Sequence, residues 1–140
     1  MNDVPSTRPR PVPTPETAHF WEGTRAGRLL LQRCEPCGRC YFPPRPFCPR
    51  CHGSEVTVVD ATGRASLYSY VVSHLPAPGF EPPYVIAVVQ LDEGPRMMTN
   101  LVGVEPDPAR LRLDQRLTVV YQDIGGGISL PLFTPEADHV

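Results

Sequence analysis

Apolar residues in this chain fall in strand-sized bursts, with one long interval that has almost none. Residues 1–15 carry five prolines (5, 9, 11, 13, 15) and little apolar content, which predicts an extended, disordered arm. Thr14-Pro15-Glu16-Thr17 then offers an N-cap, a proline for the first helical position and an acid for the first turn. The predicted helix runs through AHFWEGTRA and stops near Gly27, with Phe20 and Trp21 supplying most of its apolar surface. A helix this short holds only when docked on something else. Leu29-Leu30-Leu31 reads as a short strand, and Cys34 to Cys51 follows, too dense in Pro and Gly for a helix or a long sheet.

From Val56 the pattern becomes all-β. Val56–Val59, Ala65–Ser73, Tyr84–Leu91, Arg96–Val104, Leu117–Gln122 and Ile128–Phe133 are enriched in β-branched and aromatic residues, with Gly- and Pro-containing separators between them. Five main strands after residue 61, with a longer connection from Gly103 to Arg116, predict a small closed barrel of the OB type. That connection is too rich in proline for much helix. Strand Tyr84–Leu91 is nearly continuous in apolar residues, so both of its faces are expected to be covered, one by the barrel interior and one by another element or subunit. The fold class is therefore mainly β. The expected organisation is an arm over 1–15, a helix plus metal-held ribbon over 16–60, a barrel over 61–135 and a tail over 136–140.

Composition narrows the function. The 140 residues include 19 Pro and 5 Cys, and all 13 basic residues are Arg. No apolar run approaches the roughly 18–20 residues of a membrane span, and the first residues lack the apolar core of a signal peptide. The chain is expected to be cytoplasmic, where paired cysteine spacings argue for metal rather than disulfide. A net charge of −2 gives no overall drive toward nucleic acid or membrane. The charge is uneven, however: between Arg28 and Cys51 five Arg face a single acid, Glu35.

Cys34-Glu-Pro-Cys37-Gly38 and Cys48-Pro-Arg-Cys51-His52-Gly53 form two Cys-x-x-Cys knuckles ten residues apart. Two intervening residues let both sulfurs of a knuckle face one ion, and Gly38 and Gly53 are expected to permit the turn after each. Four thiolates in a tetrahedral array suit Zn2+, with iron as the alternative for the same ligands. An all-cysteine set leaves no open position for water, so the metal is structural, folding a segment too poor in apolar residues to fold alone. Cys40 is followed by Tyr41 rather than glycine and is left outside the site as a spare thiol; His52 could replace a ligand, but the knuckle spacing favours the cysteines. Arg33, Arg39 and Arg50 offset the charge of the thiolates, while Arg39, Arg45 or Arg50 can also meet an anionic ligand or an acidic partner surface.

No catalytic constellation emerges. His19, His52, His74 and His139 lie in a helix, a knuckle, a strand end and the tail, with no motif assigning them partners; His74, beside the loop Leu75–Pro83, is the only one placed for a cleft. Gly125-Gly126-Gly127 lacks the Lys-Ser/Thr and helix of a phosphate loop and reads as a hairpin turn.

The order Phe20-Trp21-Glu22, Leu29-Leu-Leu-Gln-Arg-Cys34, Cys37-Gly38, Tyr41-Phe42-Pro43-Pro44-Arg45 and Cys48-Pro49-x-Cys51, then strands opening at Gly63, resembles the zinc-ribbon plus OB-fold family known as domain of unknown function 35. The resemblance covers roughly residues 17–135. It implies a rubredoxin-like ribbon with Zn2+ on Cys34, Cys37, Cys48 and Cys51, and it brings no catalytic residue. It also implies an accessory subunit in a hetero-oligomer with a thiolase-like or lipid-transfer-protein-type subunit. Such complexes act on acyl-CoA thioesters by retro-aldol or thiolytic C–C cleavage, as in steroid side-chain degradation, or by acyl transfer, in some cases beside a hot-dog-fold hydratase. Two readings from other classes accompany it: a single-stranded nucleic-acid-binding OB module, which calls for basic, aromatic-studded strands, and a rubredoxin-like iron electron carrier.

Overall fold

The computed structural model describes residues 8–136. Its regular structure begins at helix α1, Ala18–Arg25, after a turn in which the Thr14 carbonyl accepts from the N–H groups of Thr17 and Ala18. The Thr14 N-cap expected from the sequence thus sits one turn upstream of the helix proper, and its own N–H donates to Thr17 Oγ1 at 2.9 Å. The C-terminus closes as a Schellman motif: Gly27 N–H donates to the Thr24 carbonyl and Arg28 N–H to that of Gly23. Phe20 and Thr24 form the buried face.

Strands β1 (Leu30–Cys34), β2 (Arg39–Tyr41) and β3 (Val56–Asp60) form an antiparallel sheet in the order β2-β1-β3. Gln32 faces Tyr41 across one ladder and Val58 across the other. This sheet and the loops between its strands make the ribbon.

The barrel uses β4 (Arg64–Ser73), β5 (Tyr84–Leu91), β6 (Arg96–Leu101), β7 (Arg116–Asp123) and β8 (Ser129–Pro135), closed in the order β4-β5-β6-β8-β7. Among the described residues the one parallel pair of strands, β6 and β8, meets through one register pair, Leu101 with Phe133. Val102 N–H donating to the Phe133 carbonyl at 2.9 Å and buried Thr99 Oγ1 donating to Pro131 O at 2.9 Å reinforce that seam. Between β6 and β7 the Pro-rich connection makes only one 3-10 turn, Pro108–Arg110, as its composition predicts.

Leu67, Val85, Val89, Leu91, Leu117 and Phe133 fill the barrel, and Phe20, Leu29 and Leu31 belong to the same core. The helix therefore ties ribbon to barrel: the Phe20 ring stands edge-on to Trp21 at 5.0 Å between centroids and lies 5.2 Å from Phe42 of the ribbon. Strand β5 alternates buried Val85, Ala87, Val89 and Leu91 with half-buried Tyr84, Ile86, Val88 and Gln90, so its outer face is only partly covered within this chain. Residues 8–15 have no regular secondary structure but lie against the barrel. The Arg8 guanidinium sits 4.3 Å above the Phe80 ring and donates to Gln122 Oε1 at 2.9 Å and to the Gly79 carbonyl at 3.3 Å. The remainder of the expected arm, residues 1–7, and of the tail, residues 137–140, lie outside the described residues.

Candidate functional site

The two Cys-x-x-Cys knuckles face each other at one end of the ribbon. Both turns are built alike: Gly38 N–H donates to the Cys34 carbonyl at 2.7 Å, and His52 N–H to that of Cys48 at 2.9 Å. In each, the residue after the second cysteine is left-handed, with φ of 69° at Gly38 and 63° at His52. The sequence reading placed the second of these turns at Gly53, but the repeat of the knuckle geometry puts it at His52. Gly53 instead gives its N–H to Cys51 Sγ at 3.4 Å. His52 thus serves through its backbone, and its side chain is exposed. Since open space surrounds the missing Gly38 side chain, Gly38→Ala carries only the left-handed backbone penalty, about 1–2 kcal/mol, and His52→Gly relieves the same strain. Chemical denaturation of the two zinc-loaded variants should move the midpoint in opposite directions.

The four sulfurs of Cys34, Cys37, Cys48 and Cys51 lie within 4.8 Å of one another. Cys34 Sγ and Cys51 Sγ are 3.6 Å apart, and Cys37 Sγ and Cys48 Sγ 4.0 Å. Tetrahedral zinc with bonds of about 2.3 Å to sulfur requires S···S edges of about 3.8 Å, so these four fit the ion and are too far apart to be disulfides. Backbone amides prepare the site for anionic sulfur. The N–H of Cys51 (3.5 Å) foremost, with that of Arg50 (3.3 Å), holds the Cys48 thiol down to about 6 against the opposing effect of burial. Sharing of the proton among sulfurs, first with Cys51, raises Cys37 to about 12. Four thiolates around Zn2+ leave a formal charge of about −2, which these amides also stabilise.

Cys40 stands apart on β2, opposite Arg33 of β1, and packs against the core. The arginines divide. Arg33 points to Glu35 at 3.4 Å rather than serving the thiolates alone. Arg39 and Arg50 share a shallow cleft of about 280 Å³ with Cys40 and Tyr41. Arg45 lies outside that cleft. Its backbone is fixed at both ends, the N–H donating to Gln32 Oε1 at 2.6 Å and the carbonyl accepting from Tyr41 Oη at 2.8 Å. Among the described residues the four-cysteine group is the only cluster of three or more Cys, His, Asp or Glu able to hold a metal. His74 is exposed on a shallow cleft with Tyr70 and Asp107, and His139 lies outside the described residues.

A second feature escaped the sequence: an apolar groove of about 280 Å³ where helix, ribbon and barrel meet. Trp21, Phe42, Pro43, Met98, Leu130 and Pro131 are among its walls. Beyond Met98, which is 71% exposed, the outer face of the barrel continues with Val88, Ile86 and Val71, the last 58% exposed. The nearly continuous apolar run of β5 was the visible signal. The groove itself needs three distant segments and has no signature in any one of them.

Comparison with known proteins follows the same division. Residues 21–57 match the family model described as the ChsH2 rubredoxin-like zinc ribbon domain, and residues 58–122 the ChsH2 C-terminal OB-fold domain. A solved structure titled "Ltp2-ChsH2(DUF35) aldolase" superposes with a TM-score of 0.79 at 36% identity, covering 90% of this chain and 98% of that one. The chain belongs to the DUF35 family. This DUF35 chain is 39% identical over 129 residues to a probable enoyl-CoA hydratase alpha subunit of Thermomonospora curvata, covering 91% of this chain and 40% of the relative. It is also 33% identical over 93 residues to the benzoylsuccinyl-CoA thiolase subunit BbsA of Thauera aromatica, with 66% of this chain and 62% of the relative covered. The chain thus spans about two fifths of the length of the hydratase alpha subunits it matches. The matched ribbon domain is a zinc ribbon, and in this DUF35 chain the four cysteines are positioned to bind such an ion.

Proposed function

We propose that this chain is a non-catalytic accessory subunit of a thiolase-like complex that acts on acyl-CoA thioesters. The partner supplies the residues for retro-aldol or thiolytic C–C cleavage, or for acyl transfer. The observation that carries this reading is the near-complete structural match to the DUF35 component of an aldolase named for two proteins. The relatives named as a thiolase subunit and a hydratase alpha subunit support the same class of substrate. The zinc site supports an architectural role because its four protein ligands close the coordination sphere. The groove at Trp21 and Phe42, with the adjoining exposed Met98 and Val71, supplies the apolar surface that a subunit would cover. Arg39 and Arg50, which line one shallow cleft on the ribbon, meet acidic groups on that partner.

The single-stranded nucleic-acid alternative asks for rows of exposed aromatic and basic side chains. The same barrel face carries one such pair, Arg96 at 3.7 Å over the Tyr68 ring, among Val71, Ile86, Val88 and Met98. Met98→Arg tests the complex, because an exposed position tolerates the change within about 0.5 kcal/mol of stability. The variant should keep the wild-type unfolding midpoint and bind a co-purifying thiolase-fold subunit at least about tenfold more weakly. Unchanged affinity in a titration by light scattering or calorimetry would remove this surface from the interface.

A further inference from the structure

Four of the thirteen arginines pair with acids: Arg28 with Asp60, Arg33 with Glu35, Arg64 with Glu136, Arg116 with Asp92. Arg10 and Arg25 do not. Both instead line a cleft of about 520 Å³ between residues 10–13, helix α1 and the turn joining β7 to β8. Among the described residues neither has an ion-pair partner, although Glu22 lies on the same cleft.

The turn they approach is Gly125-Gly126-Gly127, all three left-handed with φ of 89°, 66° and 77°. Its outer amides are used: Gly125 N–H donates to Asp123 Oδ1 at 2.8 Å, and Ile128 N–H to the Gly125 carbonyl at 3.2 Å. Those of Gly126 and Gly127 donate to nothing among the described residues. A side chain at Gly126 would meet the Arg10 guanidinium at 2.5 Å, and one at Gly127 would come within 3.5 Å of that of Arg25. The bare turn thus lets two cations come close to two unused N–H donors. Trp21, half-buried, is common to this cleft and to the apolar groove described above.

We infer that this cleft binds a nucleotide carrying adjacent phosphates, with the phosphates on Arg10, Arg25 and the Gly126–Gly127 amides and the base against Trp21. Guanidinium groups and free backbone amides are strong donors to phosphate oxygens, and an indole face stacks on a planar base. Glu22 holds the net side-chain charge of the cleft at +1, so bare phosphate is a poorer ligand than one that also engages Trp21. The adenosine end of a CoA thioester has this chemistry, and so does free ADP. Only the choice of CoA as the source rests on the function proposed above. The apolar groove on the other side of Trp21 then lies next to the remainder of such a molecule.

Trp21 is the single tryptophan of the chain, so its fluorescence reports binding in this cleft or the adjoining groove, and the Arg10 and Arg25 variants assign the signal to the cleft. The experiment titrates the isolated, zinc-loaded chain with CoA, ADP, inorganic pyrophosphate and a single-stranded oligonucleotide. CoA and ADP should quench Trp21 saturably, and pyrophosphate should bind at least about tenfold more weakly. CoA binding tighter than ADP would make CoA the source, and the reverse a free nucleotide. Arg10→Ala and Arg25→Ala should each weaken binding about tenfold or more, with unchanged unfolding midpoints, and the double variant should abolish it. Absence of saturable quenching by either nucleotide, or quenching untouched by the double variant, overturns the inference, as does tighter binding of the oligonucleotide. The titration needs no partner subunit, so its failure leaves the accessory role standing, and loss of that role leaves the titration valid.

Discussion

Stripping zinc from this chain should unfold the ribbon over residues 30–60 outright. Zinc bound to structural cysteine sites contributes an apparent 10–16 kcal/mol or so at neutral pH, as much as or more than the whole stability of an ordinary domain, about 5–15 kcal/mol. The ribbon has little to set against that loss. Its loops are built from Pro36, Pro43, Pro44, Pro46 and Pro49, and Phe47 is 56% exposed. The effect should not stop at the ribbon, because Leu29, Leu31 and Phe42 pack on the barrel core. A chelator should release one zinc per chain, detected by a colorimetric indicator. Strand signal in circular dichroism should fall, and thermal unfolding of the barrel should move to lower temperature. Cys48→Ser should reproduce these changes without chelator, while Cys40→Ser should leave zinc stoichiometry at one. A metal-free chain with wild-type spectrum and unfolding midpoint would refute a folding role for the site.

The second large effect belongs to the barrel seam. Phe133 is fully buried and carries the one register pair through which β8 closes on β6. It also faces Val119 on β7, so its ring spans the two strands that flank β8. Phe133→Ala should cost about 3–5 kcal/mol through lost transfer energy and the cavity left behind. For a domain of this size that corresponds to a drop of about 10–20 °C in unfolding midpoint. The neighbouring residues Leu130, Pro131 and Leu132 line the apolar groove, so partner binding should weaken in the same variant. Phe133→Leu, which keeps most of the volume, should cost under about 1.5 kcal/mol. Equal midpoints for the Ala and Leu variants would mean that the seam does not depend on this packing.

How much of this was visible in the chain follows from which interactions are local. The knuckles were legible because ligand spacing is a short-range constraint, and Tyr84–Leu91 matches its strand end for end because turn residues bound it on both sides. The left-handed residue of the second knuckle was misplaced because glycine at 53 drew attention from His52, which adopts the conformation without being the usual residue for it. Helix α1 starts later than its capping signal because Thr14 and Thr17 spend their hydrogen bonds on a preceding turn. The groove and the arginine cleft were not legible at all. Trp21, Met98 and Leu130 meet only after the barrel closes, and Arg10 reaches Gly126 across more than a hundred residues of chain.

The central claim, that this chain serves an acyl-CoA enzyme without performing its chemistry, is tested most directly by turnover in reconstitution. The zinc-loaded chain, the thiolase-fold subunit that co-purifies with it, and their mixture are assayed against an acyl-CoA thioester that the native complex consumes. The account predicts no turnover by the chain alone, little by the partner alone, and recovery of the native rate when the two are mixed at stoichiometric ratio. Full-rate cleavage or transfer by the isolated chain, or a partner whose rate is the same with and without it, would contradict the account.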